Sequence, residues 1–249
     1  MQNIPSRHPL HRRSFLHATG KFAAAAAVLP TTLLAQKTTG QEKHEQNYDV
    51  SITEGLMREH GILKRVLLMY DEVIRRIDAK EDFPPRTVID SVQIIRNFIE
   101  DYHQKLEEDH IFPLFRKYYR RQDVLRLYAQ KLLDLVDVLS EQHQAGRRLT
   151  DRIASTLQSL KTQDDRQKLA QDLRAFIRMY TPHEAREDTV LFPALPVIIP
   201  RQEYQALGEK FEEMEHKTFG GDGFDMYLDS VTAFEKSLGI YDLKQFTPK

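Results

Sequence analysis

Residues 103–115 read His-Gln-Lys-Leu-Glu-Glu-Asp-His-Ile-Phe-Pro-Leu-Phe, and residues 183–195 read His-Glu-Ala-Arg-Glu-Asp-Thr-Val-Leu-Phe-Pro-Ala-Leu. Both segments open with a histidine, carry a glutamate four residues on and a second acid five on, and close with Phe-Pro at nine and ten. A His-x-x-x-Glu spacing puts imidazole and carboxylate one helical turn apart on one face, where both reach the same ion. Two further histidines, His60 and His143, precede the two segments. The segments are offset by 80 residues and these histidines by 83, so a helical pair is duplicated within the chain. Imidazole nitrogen and carboxylate oxygen suit iron, manganese or zinc; softer metals want sulfur ligands, and this chain has no cysteine.

Helices must carry these residues, and the apolar spacing supplies them. Leu56, His60, Leu63, Leu67, Tyr70, Ile74 and Ile77 recur at gaps of four and three, as one face of a helix does. Thr53 is the expected N-cap. Pro84 and Pro85 mark a break and a new start. The second series is Val88, Val92, Ile95, Ile99, His103, Leu106 and His110, with Pro113 expected to kink or end it. The third is Leu132, Val136, Leu139, His143, Gly146, Thr150, Ile153, Leu157 and Leu160, and the fourth Leu169, Leu173, Phe176, Tyr180, His183, Glu187, Val190 and Ala194. Short connections make consecutive helices antiparallel neighbours. The expected fold is therefore all-α, an up-down-up-down four-helix bundle over residues 53–200, followed by a C-terminal helical extension over 201–249 that caps it.

Level agrees with face. His60 precedes the first turn by about as many residues as His103 follows it, roughly 27 Å at 1.5 Å per residue, and His143 and His183 repeat the relation. Six polar groups in one apolar seam would each cost several kcal/mol if unpaired. A shared metal satisfies all of them, and two His-Glu pairs with two further histidines suit a dinuclear site with bridging carboxylates.

At these residues the sequence resembles the hemerythrin family, in its bacterial form the HHE cation-binding domain, over roughly residues 53–200. The resemblance implies a four-helix bundle holding two oxo-bridged iron ions, with His60, His103, Glu107, His143, His183 and Glu187 at the ligand positions and Glu107 and Glu187 bridging. Asp188, or Glu108 in the first copy, is the alternative acid, because some hemerythrins use the residue five after the histidine. Oxygen-carrying hemerythrins have a fifth histidine one turn after the third-helix histidine; here that residue is Arg147, which speaks against a plain oxygen carrier. Arg147 is expected to point outward or to pair with Glu187 or Asp188. His110, two turns from His103, is expected in the core or behind the ligands, and Tyr180, one turn from His183, in the core or hydrogen-bonded to a ligand. Pro182 should bend the fourth helix.

The remaining composition sets the context. Charge is nearly balanced at −1, so no basic patch argues for nucleic acid. The N-terminus reads His11-Arg12-Arg13-Ser14-Phe15-Leu16 before an alanine-rich run from Phe22 to Ala35. That run is shorter than the roughly 20 residues of a membrane span, and the Arg-Arg-x-Phe-Leu core resembles a twin-arginine export signal. Residues 1–35 are read as a signal peptide and 36–52 as a linker, giving a periplasmic protein attached to a membrane only if the signal stays uncleaved. The expected function is binding or sensing of iron, oxygen, nitric oxide or peroxide at the di-iron centre. The alternatives are a di-iron enzyme of the peroxidase, oxidase or ferroxidase kind and an iron donor for repair of metal centres.

Overall fold

The computed structural model describes residues 50–118 and 126–248; the expected signal peptide and the expected linker up to residue 49 lie outside the described residues. Helix α1 spans Ile52–Asp78. Its N-cap is Ser51, whose side chain accepts from the Glu54 amide at 3.3 Å, and not the expected Thr53. Thr53 instead turns its hydroxyl to Tyr204, 3.2 Å away. Helix α2 runs over residues 85–118, opening with Pro85 where a missing N–H costs nothing. Helix α3 is Arg126–Gln158. Helix α4 runs over residues 163–198 and is started by a capping box between Thr162 and Asp165.

The four helices form the expected square. α1 packs on α2 and α4, and α3 packs on the same two. The seam residues face inward almost without exception, and Phe98, Phe112, Phe176 and Phe192 are wholly buried. Each such ring contributes about 1.5–3 kcal/mol by leaving water. Among the described residues no helix is long and apolar enough to cross a membrane.

Regular helical periodicity does not persist through α2 and α4. α2 is π-helical at Ile95–His103 and again at Glu107–Ile111, and α4 at Glu187–Leu191. In these wide turns the Phe112 amide bonds Glu107 oxygen and the Phe192 amide bonds Glu187 oxygen, five residues back in each case. The widening explains why Pro113 neither ends α2 nor stops it short. A proline ring normally collides with the carbonyl four residues earlier, and a π turn swings that carbonyl aside. Pro193 in α4 follows the same turn in the second copy.

Two further helices complete the fold. α5 (Arg201–Phe219) ends at Gly220 and α6 (Gly223–Leu238) at Gly239, both glycines in the left-handed conformation that closes a helix. They lie chiefly against α1 and α2. Arg65 bonds Glu235 at 2.5 Å, Thr87 bonds Ser237 at 3.0 Å, and Tyr227 lies 4.5 Å from Phe98, ring to ring.

Gly146 lies where α3 and α4 approach closely. A Cβ there would stand 2.0 Å from the Tyr180 hydroxyl, and that ring is fully buried. Alanine ordinarily favours a helix over glycine by about 1 kcal/mol, but overpacking costs about 1–3 kcal/mol. Gly146→Ala should therefore lower the thermal midpoint followed by far-UV circular dichroism at fixed metal loading. Tyr180→Phe added to it should recover part of the loss; a midpoint unchanged or raised by Gly146→Ala would contradict this packing.

Candidate metal centre

The bundle brings the six expected residues to one place. His60 Nε2 lies 3.1 Å from His103 Nε2 and 3.3 Å from Glu187 Oε2. His143 Nε2 is 3.4 Å and His103 Nε2 3.7 Å from Glu107 Oε2, and His183 Nε2 is 3.2 Å from Glu187 Oε2. His60, His103 and Glu107 form one triad and His143, His183 and Glu187 another, the candidate ligand atoms of each lying within 4.8 Å of one another. All six side chains are buried. The π turns begin at Glu107 and Glu187, so the backbone is widened at the two acids. Such bulges recur at functional sites because they re-aim side chains out of the α-helical register.

Each histidine keeps Nε2 toward the centre and turns Nδ1 to an outer acceptor. His60 Nδ1 meets Asp188 at 2.7 Å, His103 meets Glu59 at 2.5 Å, His143 meets Glu108 at 3.0 Å, and His183 meets Gln142 at 2.9 Å. An N–H donated outward at Nδ1 leaves a lone pair on Nε2. In their neutral forms the two facing Nε2 atoms of His60 and His103 would have no proton to share, and both oxygens of Glu107 and of Glu187 are buried without a hydrogen-bond partner. Lone pairs and carboxylate oxygens pointed at one another in a dry interior repel unless a cation stands between them. The donor set thus fits a metal.

With only protein around these groups, protons take the place of a cation. Burial raises the Glu107 carboxyl, but the His103, His143 and His60 rings outweigh it and hold the group low. Glu187, buried beside the Glu107 charge, is pushed well above the carboxylate range. Burial, together with the neighbouring His143, drives His183 down to about 3. Burial also lowers His103 more than any single neighbour raises it, yet Glu107 and Glu59 together lift it above its ordinary value.

The other candidates fall where the local geometry sends them. Asp188 and Glu108 do not aim at the centre; they hold His60 and His143 from outside. Arg147 pairs with Glu108 at 2.8 Å and not with Glu187 or Asp188, so the guanidinium braces an acid that braces a histidine. Tyr180 is fully buried, accepts a hydrogen bond from Gln104 Nε2 at 3.0 Å and packs edge-on to His183. His110 stands apart from the ligands, 5.8 Å from the Phe211 ring and 3.4 Å from Lys210 Nζ. The π turn at Glu107–Ile111 rotates it off the seam that an α-helical count assigned to it.

Sequence reasoning missed Glu59 and Gln142. A signal was present: each immediately precedes a seam histidine, at the same offset of 83. It also missed Glu100, held by Thr150 at 2.5 Å and Arg96 at 2.6 Å, and Glu184, whose burial pushes its carboxyl up to about 7.

Residues 134–240 match the model of the hemerythrin HHE cation binding domain. That stretch contains His143, His183 and Glu187 and continues through α5 and α6, whereas the resemblance read from the residues lay over 53–200. Uncharacterized proteins of Mycobacterium tuberculosis and Mycobacterium bovis are each 50% identical over 206 residues, covering 82% of this chain and 76% of the relative. No solved structure matches the chain. With the helical bundle, the converging histidines and glutamates, and this match together, the chain belongs to the hemerythrin HHE cation-binding domain family.

Proposed function

We propose that the chain is an exported non-haem di-iron protein that binds or senses a small oxidant or diatomic molecule such as oxygen, nitric oxide or peroxide. The observation that carries this reading is the set of four inward Nε2 atoms around two buried carboxylates without hydrogen-bond partners. His60 and His103 would hold one ion, His143 and His183 the other, with Glu107 and Glu187 between them. Four protein ligands per ion leave coordination positions free, and an iron pair supplies redox chemistry at those positions. Around it Phe192 stacks on His60 at 5.4 Å and Phe112 on His143 at 5.6 Å, which keeps bulk water from the imidazoles. A small, weakly polar ligand enters such a site more readily than a charged metabolite.

Protein matured in its native compartment should contain two irons per chain by elemental analysis. Glu107→Ala should release both, since that carboxylate serves both ions. Loss of metal should lower the thermal midpoint, because a ligand bound only to the folded state stabilises it by linkage. Acid should have the same effect, as protons compete for every ligand atom. One tightly held zinc with iron excluded would sink the di-iron reading.

Oxygen carriage is disfavoured by Arg147, which has no lone pair for a metal and is engaged by Glu108. The ferrous protein mixed with air should pass to the ferric form without a long-lived oxygenated spectrum, and a stable oxygenated form would restore the carrier reading. Turnover of peroxide or of ferrous ion by the loaded protein would favour the enzyme alternative.

Export rests on Arg12, Arg13, Phe15 and Leu16. A cysteine-free fold needs no oxidising compartment and can acquire its metal before crossing the membrane. Arg12→Lys with Arg13→Lys should leave the precursor in the cytoplasm on fractionation and immunoblotting; unimpaired export would remove the twin-arginine reading.

A further inference from the structure

The acceptors around the four histidines can be matched between the two copies, and they match in charge at every position but one. His60 of the first copy is held by Asp188 of the second at 2.7 Å, and Asp188 by Lys64 at 2.8 Å. His143 of the second copy is held by Glu108 of the first at 3.0 Å, and Glu108 by Arg147 at 2.8 Å. Lys64 and Arg147 stand at the offset that relates His60 to His143, so acid and cation are conserved together across the duplication. The remaining histidines break the match. His103 donates to a carboxylate, Glu59 Oε2 at 2.5 Å, and His183 to a neutral amide, Gln142 Oε1 at 2.9 Å. Glu59 and Gln142 occupy equivalent positions, each just before its helix's seam histidine.

We infer that Glu59 and Gln142 make the two ion positions unequal: the position at His60 and His103 loads first and holds a divalent cation more tightly, and the position at His143 and His183 loads last and exchanges. The inference rests on the two-metal reading of the site. A carboxylate accepting the Nδ1–H makes the imidazole a stronger donor at Nε2 and places a further negative charge near the ion; an amide does so weakly. The shared acids Glu107 and Glu187 cannot create the difference, since both lie between the two positions. Outer partners of metal-bound histidines typically change affinity 10–100-fold. A gap of about that size is expected between the two binding events.

The test is anaerobic titration of the metal-free full chain with ferrous ion alone, read by calorimetry, with Mössbauer spectra at one equivalent. The unmodified protein should show two events about 10–100-fold apart and a single dominant iron environment at one equivalent. Glu59→Gln should weaken the tight event and Gln142→Glu strengthen the weak one, each closing the gap while the helical signal stays unchanged. His143→Ala should keep the tight event, and His103→Ala should keep only the weak one. Two equal events, a gap untouched by both isosteric variants, or a tight event that survives His103→Ala would each overturn the inequality alone. No saturable uptake of ferrous ion by the unmodified chain would overturn the two-metal reading and this inference with it.

Discussion

Two glutamates, Glu107 and Glu187, sit fully buried in the middle of this bundle with four imidazole nitrogens around them. In a low-dielectric interior two carboxylates cannot both carry charge beside one another without a cation, which is why one is held low and the other pushed high when only protein surrounds them. Everything else in the structure is arranged around that conflict. The helices are long enough to bring four histidines to one level. The outer acids and amide fix which nitrogen of each ring faces inward. The π turns reset the backbone where the two glutamates must meet.

Duplication supplies most of this economically. One helical pair carries a seam histidine with a cation one turn on, then a histidine, a glutamate and a second acid. Repeated once, it yields a closed ring in which each copy's trailing acid reaches over to the other copy's leading histidine: Asp188 holds His60 and Glu108 holds His143. The two copies are thus interlocked at the site, and neither could hold its leading histidine alone.

Much of this was legible from spacing. The helix faces, the turn at Pro84–Pro85 and the convergence of six polar residues all follow from a period near 3.6 and from the cost of burying polar groups. The reading failed where that period fails. His110 was assigned to the seam by counting two α-helical turns, and a π turn carried it to Phe211 and Lys210 instead. Pro113 was expected to kink or end α2 for the same reason, whereas Phe-Pro in both copies follows a wide turn and the helix runs on through it. Asp188 against Glu187 could not be decided from adjacent positions on one helix; only the packing of α1 against α4 decides which acid points inward. Arg147 was misplaced because its partner lies on α2, and no local pattern in α3 announces that contact.

The C-terminal pair α5 and α6 is laid chiefly on α1 and α2, through Arg65–Glu235, Thr87–Ser237 and the rings of Phe98, Tyr102, Phe219 and Tyr227. A bundle clasped along one side does not fluctuate evenly. Backbone amides of α1 and the first half of α2 are shielded by an extra layer, whereas α3 has no comparable cover among these contacts, and thinner cover favours smaller, cheaper opening excursions. Slow hydrogen exchange should concentrate on one side of a nearly symmetric core, and small solutes should reach the interior through the other.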